Sequence, residues 1–202
     1  DNMSRFSVYQ KIKDLIINRE LKDSITETEI STKLEISRTP VREALTLLMH
    51  EGWIVSKSER VKVVSEVSFR ELKHIYQIRV DIEVLALKLA WPRLDKSHVS
   101  EFIETLNSQS LCQDFEEMHK LDRRFHELIY KATDNTPLIG MLTHINDRLS
   151  LLRDDRQNYY VQESNREHLA IAEAIVKDDF DRAAEALKFH INQSYKRLID
   201  VI

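Results

Sequence analysis

Four ionisable residues of this 202-residue chain, Asp122, His126, His168 and His190, have the types and placement that suit a divalent cation. Asp122 and His126 stand four residues apart in a helical pattern, so at about 3.6 residues per turn their side chains project from one face. Leu121, Phe125, Leu128 and Ala132 predict the buried face of that helix, with Asp122 and His126 on its margin. His168 falls beside Leu169, Ala172 and Ile175, and His190 falls between Leu187, Phe189 and Ile191. The pattern therefore points three histidines and one aspartate inward from three helices. An unpaired buried carboxylate costs on the order of several kcal/mol, so a shared partner is expected. A cation held by one carboxylate and three imidazoles, with positions left open, satisfies all four groups. Each histidine taken singly also fits a core-edge residue with its own hydrogen bond. His50, His74, His98, His119 and His144 lack such company and read as surface or structural residues. An open metal position could activate water, so a metal-dependent hydrolase is one reading of the set. A metal that only stabilises the fold is another.

A second group, Arg38, Thr39 and Arg42, crowds the first turns of a different helix, opposite its apolar stripe. A guanidinium there can pair with guanine or phosphate, and the free N–H groups of a helix start suit a phosphate. The elements around it fit that use. Ser7 caps a helix carrying Val8, Ile12, Leu15 and Ile16, which ends near Asn18. Thr26-Glu27-Thr28-Glu29 has the form of a capping box and opens a short helix with Ile30 and Leu34 inside. Glu35-Ile36 turns the chain, and Ser37 caps a third helix through Val41, Ala44, Leu45 and Leu48 that stops at Gly52. Trp53-Ile54-Val55 and Val61-Lys62-Val63-Val64 then read as two strands around Lys57-Ser58-Glu59-Arg60, the wing of a winged helix-turn-helix.

Composition sets the class of the remainder. Two glycines and three prolines leave little material for hairpins or phosphate loops, so the fold is read as mostly α. The formal net charge of −4 lies beyond Val67, because the segment up to it is balanced at 11 basic and 11 acidic residues. DNA contact must therefore rest on local residues and not on bulk charge. A single cysteine, Cys112, excludes an internal disulfide and a thiolate cluster and reads as a small buried hydrophobe. No apolar run reaches the ~20 residues that span a bilayer, and no signal-peptide pattern opens the chain, so no membrane partner and a cytoplasmic location are expected.

Ser68-Phe69-Arg70-Glu71 is another capping box, which places a domain boundary at Val67-Ser68: residues 1–67 form the winged helix-turn-helix DNA-binding domain and 68–202 an all-helical domain. Its first helix runs through Leu72, Ile75, Ile78, Ile82, Leu85 and Leu89 to Trp91-Pro92, and five more patterns follow at 96–109, 114–133, 138–155, 162–177 and 180–201. Six helices and no strand predict an antiparallel bundle.

Ser37-Arg38-Thr39-Pro40-Val41-Arg42-Glu43-Ala44-Leu45, followed by Leu48 and Glu51-Gly52-Trp53, resembles the recognition-helix signature of the GntR family of bacterial transcription regulators. The resemblance implies that Arg38, Thr39 and Arg42 contact double-stranded operator DNA. Thr28 stands where some members carry a DNA-contacting arginine, and the wing tip lacks the usual glycine. Arg79-Val80-Asp81-Ile82-Glu83, Asp122-x-x-x-His126, Asn135-x-Pro137-Leu138, Glu167-His168-x-x-Ile171 and His190 resemble the FCD effector domain of the FadR branch. That likeness implies a metal, zinc or nickel, on Asp122, His126, His168 and His190, with a small carboxylate completing the coordination. It also turns Arg79 toward the effector, although an ion pair with Glu83 on the helix surface accounts for Arg79 equally well. The reading is a homodimeric, ligand-responsive regulator, a repressor, on a two-fold operator.

Overall fold

The structure is a computed structural model and describes residues 5–21, 24–109, 115–152 and 160–201. Cys112 and the tail of the helix predicted over 138–155 lie outside the described residues. The chain divides into two compact units, residues 1–68 and 69–202.

In the first unit, α1 (Arg5–Ile17), α2 (Glu27–Leu34) and α3 (Arg38–His50) precede a two-stranded antiparallel sheet of β1 (Ile54–Ser56) and β2 (Lys62–Val64). Helix α1 starts before Ser7, so Ser7 lies inside the helix and does not cap it. The capping box of α2 is present: Thr26 accepts from the Glu29 N–H, and its hydroxyl donates to the Glu29 carboxylate at 2.8 Å. Helix α2 ends on Glu35 in the left-handed region (φ 55°), whose N–H returns to the Ser31 and Thr32 carbonyls and makes the tight turn. Ser37 precedes α3 in an extended conformation but makes no side-chain cap. Val41, Ala44, Leu45 and Leu48 form its buried stripe, and each fully buried leucine contributes about 1.5–3 kcal/mol. Gly52 takes φ +79°, a conformation that costs an L-residue, and turns the chain from α3 into β1. Strand pairing joins Ile54 to Val64 and Ser56 to Lys62. Lys62 also exchanges two backbone hydrogen bonds with Ile25, which the sequence pattern did not predict.

The second unit contains α4 (Phe69–Ala90), a 3₁₀ turn at Trp91–Arg93, α5 (Lys96–Gln109), α6 (Phe115–Ala132), α7 (Thr136–Ser150), α8 (Val161–Val176) and α9 (Phe180–Val201). These are the six helices expected, and no strand occurs among the described residues of the unit. Asn135 caps α7 by accepting from the Leu138 N–H, which starts that helix two residues before the predicted position. Helix α9 packs against both α4 and α8, while α6 contacts α4, α5, α7 and α8. The buried face of α6 is rotated from the predicted one. Met118, Leu121, Phe125 and Ile129 fill it, with Tyr130 beside them, whereas Leu128 and Ala132 are only half-buried. The rotation carries His126 from the margin into the core. Among the described residues, no helix is long and apolar enough to cross a membrane.

Candidate functional site

Asp122 and His126 on α6, His168 on α8 and His190 on α9 converge, with one possible donor atom from each lying within 4.8 Å of the others. His126, His168 and His190 are buried, while the Asp122 side chain keeps 30% exposure. The helix contacts explain the convergence. Phe125 stacks on Phe102 at 4.9 Å and lies 4.7 Å from the His168 ring, so the apolar face that fixes α6 also fixes the distance to α8. His168 and His190 bring their Nε2 atoms to 3.1 Å, and His168 Nε2 is 3.6 Å from Asp122 Oδ1. Ser164 donates to the same Asp122 oxygen at 3.2 Å.

The opposite nitrogens of two rings meet carboxylates. His126 Nδ1 is 3.1 Å from Glu83 Oε2 on α4, and His190 Nδ1 is 2.8 Å from Glu167 Oε2 on α8. Each carboxylate is held by an arginine. Arg79 Nε donates to Glu83, and Arg197 on α9 donates through both terminal nitrogens to Glu167 at 2.7 Å. Arg79 and Glu83 thus form the ion pair anticipated from their spacing, but it is buried and not on the helix surface. Arg79 also donates to Tyr76 Oη at 3.1 Å and lines a cavity of about 130 Å³ with Asp122, His126 and His190. That volume is several times the ~30 Å³ that one water occupies. Arg123 and Arg197 reach the same cavity. His119, read as surface or structural, also lines it, one turn before Asp122. The functional partners missed from sequence are Glu167, which neighbours His168 but serves His190, and Arg197.

The donor set fits a divalent cation. Donors of one ion with bonds of about 2.0–2.2 Å lie at most ~4.4 Å apart, close to the spread observed here. Two of the rings, His168 and His190, resist protonation in the fold, which suits ligands that must be neutral. Burial pushes the His168 pKa well below its ordinary value, with the neighbouring His190 adding to the effect. Burial also lowers His190, against the opposing pull of Glu167. Burial alone would raise the Glu83 and Glu167 carboxyls, but the arginine and histidine beside each hold it below the usual carboxylate range.

These shifts fix the sign of an acid dependence for the metal-free protein. The unfolded chain binds protons on His168 and His190 below about pH 6.5, whereas the folded chain resists them. Stability is then full above that pH and falls as pH drops through it, by up to about 1.4 kcal/mol per pH unit for each imidazole. The two glutamates extend the loss below about pH 4.5. Denaturant midpoints at pH 7.5 and 5.5, measured in chelator, should show the lower value at pH 5.5; equal midpoints would contradict the burial of neutral imidazoles.

In the first unit, Arg38, Thr39 and Arg42 are all exposed at the start of α3. Arg42 makes a two-pronged pair with Glu27 of α2, with Nε and one terminal nitrogen each 2.9 Å from a carboxylate oxygen.

The chain combines a winged helix-turn-helix with an all-helical unit that holds a cluster of three buried histidines and one aspartate. The chain belongs to the GntR family of bacterial regulatory proteins and carries an FCD domain, with the family models matching residues 5–64 and 74–193. It is 26% identical over 202 residues to the HTH-type transcriptional regulator YdhC of Bacillus subtilis, covering 96% of this chain and 90% of the relative. Its fold is that of E. coli McbR/YncC, with a TM-score of 0.83, 22% identity and 98% of both chains covered. The second unit is similar to the Zn2+-bound FCD domain of TM0439, with a TM-score of 0.54 and 24% identity, covering 64% of this chain and 91% of that one. The chain is a DNA-binding transcription regulator and not the hydrolase that an open metal position also allowed.

Proposed function

We propose that the chain is a ligand-responsive repressor that acts as a homodimer on a two-fold operator in the cytoplasm. Residues 1–67 form its DNA-binding head and 68–202 its sensor. In the sensor, Asp122, His126, His168 and His190 hold a divalent ion, zinc or nickel. When bound, the ion supplies a Lewis-acidic position for the carboxylate of a small organic acid. Arg79 borders the space that acid would occupy and is the effector-facing arginine of the sensor. The observation that carries the reading is the meeting of four donors from three helices beside that cavity. A metal serving stability alone needs no cavity next to it. The Zn2+-bound form of the TM0439 FCD domain supports the choice of metal.

On the DNA side, Arg38, Thr39 and Arg42 contact the operator, and the exposure of all three at a helix start supports this. Arg38→Ala and Arg42→Ala should each weaken binding roughly ten- to a hundredfold and leave the helical unit folded. Fluorescence anisotropy with duplexes selected in vitro by the wild-type chain measures this. Unchanged affinity in both variants would remove α3 from the interface.

A further inference from the structure

Arg79, Glu83 and Glu167 all fall in the motifs of the sensor, and the proposed function assigns none of them a duty toward the ion itself. We infer that Glu83 and Glu167, each locked by an arginine, are positioning residues that hold His126 and His190 as Nδ1–H tautomers and so preset their Nε2 lone pairs for the metal. The inference rests on the metal reading above.

The hydrogen bonds carry it. A carboxylate held by an arginine accepts and cannot donate, so the imidazole nitrogen facing it must bear the proton. Glu83 therefore places a proton on His126 Nδ1 at 3.1 Å, and Glu167 places one on His190 Nδ1 at 2.8 Å. With the proton on Nδ1, the lone pair of each imidazole lies on Nε2. The arginines make the arrangement rigid: Arg79 and Glu83 are buried, and Arg197 grips both oxygens of Glu167 at 2.7 Å. Carboxylates behind metal-binding imidazoles fix ring orientation and raise ligand basicity.

His168 is the exception, and the exception follows from the same logic. Among the described residues its buried Nδ1 has no hydrogen-bond partner, while its Nε2 lies 3.1 Å from the Nε2 of His190. Because His190 Nε2 is a lone pair, His168 Nε2 must donate to it in the metal-free protein. For His168 to offer Nε2 as a ligand, its proton has to move to Nδ1. The three rings are therefore not equivalent: two are set in advance and one changes tautomer on loading.

Nitrogen-15 NMR of the metal-free full-length chain at pH 7.5 reads the tautomers directly and needs no variant. Nδ1–H on His126 and His190 with Nε2–H on His168 is expected; Nε2–H on His126 or His190 would overturn the inference. Zinc titrated into the same sample should convert His168 alone. Glu167→Gln and Glu83→Gln, whose amides can donate as well as accept, should lower zinc affinity about 10- to 100-fold in competition with a chromophoric chelator. Glu167→Gln should also mix the tautomers of His190. Wild-type zinc affinity with an unchanged His190 tautomer in Glu167→Gln would overturn the positioning role. A wild-type chain that shows the expected tautomers yet takes up no zinc would instead overturn the metal reading and leave the tautomer control standing.

Discussion

His168→Ala is expected to empty the metal centre. The wild-type protein should carry about one divalent ion per chain by elemental analysis, and the variant none. His168 is central to the set, with its Nε2 near both His190 and Asp122, so its loss removes the donor that links them. The loss should be visible in stability. An ion present at about 1,000 times its dissociation constant stabilises the folded state by ~4 kcal/mol, on the order of 10 °C in melting temperature for a unit of this size. Stripping the wild-type protein with chelator should lower the melting of the helical unit by that order, and zinc should restore it. The variant should melt alike with and without zinc, lose its response to small carboxylates, and retain operator binding through the separate head. Full occupancy in His168→Ala would show that the ion is held elsewhere.

Glu83→Ala should be the most destabilising single change of a charged residue in the sensor. Arg79 and Glu83 are 4% and 2% exposed, so removing the carboxylate leaves a guanidinium in the core that has lost its ion-pair partner and keeps the hydrogen bond to the hydroxyl of Tyr76. Breaking such a pair from one side costs about 3–5 kcal/mol, whereas replacing both partners by apolar groups of similar volume costs far less. Urea unfolding of metal-free protein should therefore rank the double variant Arg79→Met/Glu83→Leu well above Glu83→Ala. If the single variant loses less than ~1 kcal/mol, the pair is solvated in solution and the buried network is wrong.

The contrast between those two sites marks what could be read from the sequence. The recognition helix was legible because its information is local: a turn at Glu35, an apolar stripe from Val41 to Leu48 and a glycine at position 52 determine it within 18 residues. Asp122 and His126 were legible for the same reason, since four residues on a helix place two side chains together. The bundle's helix count followed from periodicity and breakers. The rotation of α6 did not, because Leu128 and Ile129 are both apolar and only packing against neighbouring helices decides which goes inside. Glu167 illustrates the deeper limit. It adjoins His168 in sequence, yet it faces His190, 23 positions later, and is gripped by Arg197, 30 positions later. Glu83 was recognised as the partner of Arg79, but its second oxygen serves His126 on another helix. Acceptors that brace a ligand from behind leave no spacing rule, because their geometry belongs to helix–helix packing.

The bridge between Ile25 and Lys62 has a consequence for how the protein behaves at high concentration. A two-stranded ribbon is marginal alone, and its outer strand offers unpaired N–H and C=O groups on which another chain could template. At Lys62 both outward backbone groups are taken, one donating to the Ile25 carbonyl at 3.0 Å and the other accepting from the Ile25 N–H at 2.8 Å. The segment leading into α2 thus closes the open margin of β2 at that residue, and the ammonium group of Lys62 adds a charge that disfavours stacking of like edges. On this side of the ribbon the wing offers one fewer residue for a second chain to pair with.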